Sequence, residues 1–464
     1  MLNSRRHPEP IKNIDCVLLG AFERHNFGDL LMGYIFETLL GRNGIRVVYA
    51  SILENDLTSY GGSRVYSIFD LVHAGLDPAT PILHVGGEVV PTSFHDALLT
   101  DSPLTLDRHR VEAAHRLSDL LATDRAFPYL TPPSEVVGSR SISWTNRIFY
   151  GTGYTKQAAD KETADLIRKS LNHSLLAGFR DQQSLDNATQ LSIKNPRLTP
   201  DIVAYISKLL PRKEDSRSNY LLIHFSSYYL ALHEKILVDQ LEKISKGFDG
   251  SIKIALAGRL HGHDSISAIH RLKFMAAEKG ISIEFLPSED IFDICRQISG
   301  ARMVVSTSLH YRIVARSYGV ARISMNNPKI THWSRSNDRS YPFGVDPESL
   351  ASEFASLTSK SIQPEPQQEL DIQSIDEYVA ELGKMLINAR TGLKDQELTI
   401  RSSPPPAPSQ ELWFTALANS MDVKEKLIQQ QEIQLSSRVF MLKRLLTLSL
   451  RSFPKLRAKQ QGNQ

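Results

Sequence analysis

Residues 303–329 read MVVSTSLHYRIVARSYGVARISMNNPK, and this stretch decides the fold class. Met303 to Ser306 is an apolar run that stops at hydroxyl residues suited to cap a helix. Leu309 to Tyr318 then has helical spacing, and Ala321 to Met325 is a second apolar run. Strands this apolar are buried on both faces, so the pattern predicts a strand, a helix and a strand of a parallel sheet. His310 falls in the first turn of the helix, where the positive dipole end favours an anion, and the second strand delivers Lys329 to the rim of a cleft.

The same alternation continues upstream. Tyr220 to Phe225, Ile252 to Ala257 and Ile281 to Leu286 read as strands, interleaved with helices over Leu230 to Lys246, Ser265 to Lys279 and Glu289 to Ser299. A first series precedes them, with strands at Ile14 to Gly20, Ile45 to Ser51, Pro81 to Val85, Ile148 to Gly151 and Ser174 to Arg180. Its helical patterns are Asp29 to Leu40, Leu106 to Ala122, Lys161 to Leu171 and Asp181 to Leu191. Between Pro200 and Asn219 the apolar pattern lapses, which divides the two series. The expected fold is therefore α/β, with two Rossmann-like doubly wound domains facing across a cleft and a C-terminal helical tail. The expected boundaries are an extension 1–13, domains 14–205 and 206–390, a Pro/Ser linker 391–410 and a basic amphipathic tail 411–464.

At 464 residues the chain exceeds what one core serves, in line with two domains. A net charge of +3, from 54 Lys plus Arg against 51 Asp plus Glu, gives no basic field for nucleic acid. Cys16 and Cys295 each sit in an apolar run and read as buried thiols rather than a disulfide or zinc site. His261-Gly262-His263-Asp264 has metal-binding residue types, but in a loop, and no metal is expected. No apolar stretch is long enough to span a bilayer, and Met1 to Lys12 lacks the core of a signal peptide, so a cytoplasmic protein is expected. From Arg438 to Lys459 there are seven Lys or Arg and no acid among apolar residues. That segment suits peripheral contact with the inner face of an anionic membrane, or docking on its own chain or a coiled-coil partner.

Candidate chemistry gathers where strands end. Asn26 and Asp29 follow the first strand; they either cap the next helix or, for Asp29, face the cleft and take a proton from an acceptor hydroxyl. Gly86 and Gly87 either permit close backbone approach to a ligand or make a sharp turn. Arg180 can hold a phosphate or carboxylate in two-pronged fashion, or pair with Asp181.

In order along the chain, Asn26-Phe27-Gly28-Asp29, Gly86-Gly87, Arg180-Asp181 with Ser184, Pro200-Asp201, and Ser308-Leu309-His310 running on to Lys329 resemble the polysaccharide pyruvyl transferase family over about Asp15 to Trp333. The resemblance implies a fold similar to the GT-B glycosyltransferases. It implies transfer of a pyruvyl group from phosphoenolpyruvate to a pair of sugar hydroxyls as a ketal, in cell-surface or exopolysaccharide biosynthesis, with no cofactor beyond the donor substrate. Arg180, His310 and Lys329 would bind and activate the donor, Asp29 would serve the acceptor, and Asn26, Gly86, Gly87, Ser308 and Arg312 would complete the substrate site. Glu88 departs from the pattern where the family often has a third glycine, and Ser308 stands where the family has the Arg of an Arg-Leu-His. Beyond Ser340 the likeness fades.

The chemistry suits these residues. Phosphoenolpyruvate carries a phosphate and a carboxylate, which Arg180 and Lys329 can neutralise with help from helix N-termini. His310, protonated beside those anions, would give the C3 proton or steady the departing phosphate. The partners expected are the donor and a sugar or lipid-linked oligosaccharide acceptor, with a homo-oligomer left open. Two other readings stand beside this one: a nucleotide-sugar glycosyltransferase of the same two-domain shape, and a non-catalytic assembly factor recruited through the tail.

Overall fold

A computed structural model of the chain describes residues 10–12, 14–77, 79–90, 92, 146–155, 160–212, 218–258, 264–359, 367–390 and 397–399. The first sheet holds, in spatial order, Asn55–Asp56, Arg64–Ser67, Val47–Ser51, Cys16–Leu19, Ile82–Val85, Arg147–Thr152, Leu176–Phe179 and Arg197–Leu198. All neighbours run parallel except Asn55–Asp56, which lies antiparallel to Arg64–Ser67. The second sheet is parallel throughout, in the order Ile283–Leu286, Ser251–Ala255, Tyr220–His224, Met303–Ser306 and Ala321–Ser324.

Each sheet begins in an interior strand and is then built to one side and the other. Cys16–Leu19 lies between Val47–Ser51 and Ile82–Val85, and Tyr220–His224 lies between Ser251–Ala255 and Met303–Ser306. The strand order reverses beside these strands, and the crevice at their C-terminal ends is where doubly wound folds hold ligands. Gly20, Gly86 and Gly87 stand at that end of the first sheet, and Thr307 and Ser308 at that end of the second.

Helix starts follow the polar residues that the sequence offers as caps. Asp181 accepts from Ser184 N at 2.8 Å, Asp290 accepts from Phe292 N and Asp293 N, and Asn327 accepts from Lys329 N. The last of these changes one expectation. Pro328 at the first helical position begins the Pro328–Asn337 helix, so Lys329 rides a helix start rather than a strand end. The helices Ile68–His73, Leu350–Thr358 and Gln367–Arg390 and the strand Arg64–Ser67 were not foreseen either.

Gln367–Arg390 lies within 206–390 in sequence but serves the first sheet. Tyr378 Oη donates to Leu198 O at 2.8 Å, Arg197 meets Glu381 at 2.9 Å, and Tyr205 Oη donates to Asp376 at 2.6 Å. Ile375, Val379, Leu382 and Leu386 share one apolar cluster with Phe36, Leu39 and Leu40. Glu397–Thr399, inside the segment expected to be an extended linker, pairs antiparallel with Pro10–Lys12. The helical pattern at 106–122, the histidines 261 and 263, and the tail 411–464 lie outside the described residues.

The two sheets meet through the loop after the first strand. Phe27 N donates to Ala257 O at 2.8 Å, Asn26 and Gly258 form an isolated bridge, and His25 Nε2 lies 2.7 Å from Glu289 O. Phe27 and Tyr311 then pack edge to face at 5.7 Å, a pair worth about 1 kcal/mol beyond its burial. Both cysteines are buried and unbridged, and burial pushes the Cys16 thiol up to about 12. Among the described residues no helix is long and apolar enough to cross a membrane.

Candidate active site

The Phe27–Arg42 helix begins at the cleft. Asn26 Oδ1 accepts from Gly28 N at 3.1 Å, so of the two readings for Asn26 the structure selects the cap, and that oxygen is committed to the helix. Asp29, one turn in, points elsewhere. Its Oδ1 lies 3.7 Å from where a Cβ would stand on either Gly86 or Gly87. Those glycines have φ of 84° and 42°, a backbone region that side chains resist, and a Cβ on Gly86 would also run into Met32. The turn thus brings bare backbone against the Asp29 carboxylate.

Glu88 follows the turn and is held by Thr155, whose N and Oγ1 donate at 3.1 and 3.0 Å. Its other oxygen takes Arg180 Nη2 at 3.0 Å. Arg180 leaves the end of Leu176–Phe179 with its side chain only 2% exposed, and Asp181 approaches its Nε at 3.6 Å. That Nε makes no hydrogen bond. Burial works against the Arg180 charge, but Glu88, Asp181, Asp201 and Asp29 together outweigh it and raise its pKa. Glu88 is likewise held low by Arg180, Lys329 and the Thr155 bonds, against its own desolvation.

From the second sheet, Ser308 caps the Leu309–Ser317 helix by accepting from Tyr311 N, and His310 stands one residue past the helix start. Its ring lies so close over Gly28 that any Cβ there would overlap it, so a residue of one half touches a helix N-terminus of the other. Desolvation, then Arg180, then Lys329 drive the His310 pKa down to about 3. The imidazole is therefore neutral until an anion offsets those charges. A dianion lying between the two cations would offset them and raise that pKa. Burial raises the pKa of Asp29 against the pull of Arg24, Lys329 and Arg180, as suits a group that must take a proton. It also raises that of Asp201, against Arg180.

Of the residues singled out from the sequence, Asp29, Gly86, Gly87, Arg180, His310 and Lys329 come together. Asn26 and Ser308 cap helices. Arg312 does not join them: its guanidinium is fully buried, donating to Ser324 Oγ, Pro342 O, Asp338 O and Tyr341 O and pairing with Asp338 at 2.7 Å. Nothing in the sequence around Arg312 points to these partners. Arg24, Glu88, Asp181 and Asp201 are site residues that the sequence reading did not select. The signals available were the departure from glycine at 88 and the Pro200-Asp201 pair. Among the described residues no three His, Cys, Asp or Glu converge as metal ligands.

A family profile described as polysaccharide pyruvyl transferase matches residues 26–328, from the helix cap to the residue before Lys329. The chain belongs to the polysaccharide pyruvyl transferase family. As a polysaccharide pyruvyl transferase family member it is a transferase, and the matched span carries every cleft residue named above except Arg24 and Lys329. Among solved structures it is similar to UDP-GlcNAc 2-epimerase from Methanocaldococcus jannaschii, with 10% identity over 80% of this chain and 99% of that one and a TM-score of 0.50. A putative UDP-N-acetylglucosamine 2-epimerase from Listeria monocytogenes gives 9% identity over 82% and 97%, also at 0.50. At such identity the likeness shows the fold alone, the two-sheet GT-B arrangement. No curated protein matches the chain by sequence.

Proposed function

We propose that this polysaccharide pyruvyl transferase takes its pyruvyl group from phosphoenolpyruvate and sets it as a cyclic ketal on two hydroxyls of a sugar, free or lipid-linked. The observation that carries the reading is the convergence of Arg180 and Lys329 on His310, closely enough that both cations act on its ring. Two cations suit a donor with a phosphate and a carboxylate, and the helix N-terminus at Gly28 adds partial positive charge.

In this reading the donor's phosphate proton moves to His310 as the anion binds, and His310 delivers it to C3 of the enol. The first sugar hydroxyl adds to C2 and gives its proton to Asp29. Phosphate leaves as the second hydroxyl adds and carries off that hydroxyl's proton, Asp29 releases the first to solvent, and the net result is a methyl group at C3, a ketal at C2 and one inorganic phosphate. Tight buried contacts around Arg180 and Glu88 fix the floor of the site, while Lys329 is exposed at its rim.

The test is phosphate release by the purified chain given phosphoenolpyruvate and a panel of sugars, with the product examined for a pyruvyl ketal. Thermal protection by UDP but not by phosphoenolpyruvate would replace this donor with a nucleotide sugar.

A further inference from the structure

Two buried polar atoms in the cleft face each other without hydrogen bonds. His310 Nε2 and Asp201 Oδ2 stand 4.0 Å apart, the Asp201 side chain is 1% exposed, and neither atom has a hydrogen-bond partner. Orphaned buried polar atoms are rare in folded proteins because each costs about 1–3 kcal/mol, so an opposed pair calls for an explanation. The other Asp201 oxygen is already used: Oδ1 accepts from Val203 N at 3.0 Å and starts the Ile202–Tyr205 turn. Asp201 is thereby fixed in place by one oxygen while the second is aimed at the histidine.

We infer that Asp201 is a positioning residue for His310, holding its Nε2–H and so presenting Nδ1 as the nitrogen that takes and gives the catalytic proton. The inference deepens the donor chemistry proposed above and rests on it. Nδ1 lies on the Gly28 side of the ring, at the helix N-terminus where an anion is favoured. A carboxylate on one imidazole nitrogen fixes the tautomer and stabilises the cation formed when the other nitrogen is protonated. The 4.0 Å separation exceeds a hydrogen bond by about 1 Å, and such contacts tighten when the reacting complex forms. The proton count balances: Nδ1 gains the donor's phosphate proton, passes it to C3, and Nε2–H stays on Asp201 throughout.

The charged and titratable groups facing the pair are Arg180 and Lys329 toward His310, and Arg180, Asp29, Asp181 and Tyr150 toward Asp201. None of the others opposes Nε2 within ion-pair distance.

The discriminating variant is Asp201→Asn, which keeps an oxygen for Val203 N and the side-chain volume. Expected results are a 10- to 100-fold fall in kcat, a KM for phosphoenolpyruvate within about threefold, and an alkaline limb of the kcat profile moved to lower pH by about one unit. The direction follows because the limb reports loss of the His310 proton, which the carboxylate retains. A second measurement needs no turnover: nitrogen NMR of histidine-labelled full-length chain, with the His310 signals assigned by their loss in His310→Gln. Wild type should show the Nε2–H tautomer, and Asp201→Asn a mixture. Unchanged kcat and pH profile in Asp201→Asn overturn the inference, as does a wild-type ring without tautomer bias. If wild type releases no phosphate from phosphoenolpyruvate, the donor assignment fails instead, and the tautomer still decides the role of Asp201.

Discussion

Arg180 and Arg312 are both buried arginines beside aspartates, and both are expected from sequence at the substrate site, yet they do opposite things. Arg312 spends its donors on three backbone carbonyls, Ser324 Oγ and Asp338, while Arg322 grips the same carboxylate with two nitrogens at 2.7 and 2.6 Å and lies 4.0 Å above the Tyr341 ring. Neither arginine's Nε makes a hydrogen bond, but Asp338 stands 2.7 Å from that of Arg312 and Asp181 only 3.6 Å from that of Arg180, which lies among four carboxylates of which two are raised in pKa. The densely bonded ion cluster holds the second half together; the sparsely bonded one has capacity left for a ligand. The difference is in the hydrogen bonds each guanidinium makes among the described residues, four from Arg312 and one, to Glu88, from Arg180, not in charge or burial.

The sharpest way to break that contrast is to truncate both arginines. Arg180→Ala and Arg312→Ala should each cost about 3–5 kcal/mol of stability in denaturant unfolding, since each strips a buried carboxylate of a partner. Only Arg312→Ala should keep the rise in Tm that phosphoenolpyruvate confers. Were a cooperatively folded Arg312→Ala to lose that rise, the two clusters would not be separable by their bonding.

His310→Ala tests the centre of the sparsely bonded region. Turnover should fall about 10³-fold with Tm nearly unchanged, the usual scale for a lost general acid. A large loss of Tm with residual turnover would instead make His310 a packing residue over Gly28.

Asp29 and Asp338 give the contrast a pH signature. Desolvation raises the Asp29 pKa when folded, so the native state binds its proton more tightly than the unfolded chain and ionised Asp29 destabilises above that pKa. Asp29→Asn should therefore raise stability at neutral pH, by on the order of 1 kcal/mol, with the gain vanishing as pH falls through the folded pKa. Turnover should drop about 10²-fold. Asp338 has the opposite sign: Arg322 and Arg312 hold its pKa low against burial, so its stabilisation is full above the unfolded value near about 4 and disappears as pH drops below it. Acid unfolding of Asp29→Asn that parallels wild type at every pH would contradict this assignment.

Why some of this was legible and some not follows from the kind of signal. The buried strands Met303–Ser306 and Tyr220–His224 announce themselves because a parallel strand is apolar on both faces, and their order along the chain is enough for the doubly wound plan. Arg64–Ser67 alternates and spans four residues, too little for periodicity to register. Gln367–Arg390 falls within the second half by sequence position alone, and only its contacts with Leu198 and Tyr205 reveal where it packs. At the site, Asp29, Arg180 and His310 were visible because they sit at strand-to-helix junctions. Glu88 and Asp201 matter through their distances to Arg180 and His310 across the fold, and sequence carries no such distances. Arg312 failed for the converse reason: its partners Pro342 and Tyr341 are 30 and 29 residues away in a loop with no periodicity.

Lys329 offers the mildest test and the one that isolates charge from structure. It is exposed at the start of the Pro328–Asn337 helix, yet its charge acts on Asp29, Glu88 and His310. Removing an exposed side chain should leave stability within about 0.5 kcal/mol, so Lys329→Ala should unfold at the wild-type denaturant midpoint. Its KM for phosphoenolpyruvate should rise about tenfold, equivalent to about 1.4 kcal/mol of lost attraction. Because the lysine works partly through solvent, the gap between variant and wild type should narrow in high salt, whereas the Arg180 contribution, made inside the protein, should persist. Lys329→Arg should restore the affinity. A KM unaffected by Lys329→Ala at low ionic strength would remove the rim cation from the donor site and leave Arg180 to face both anionic groups alone.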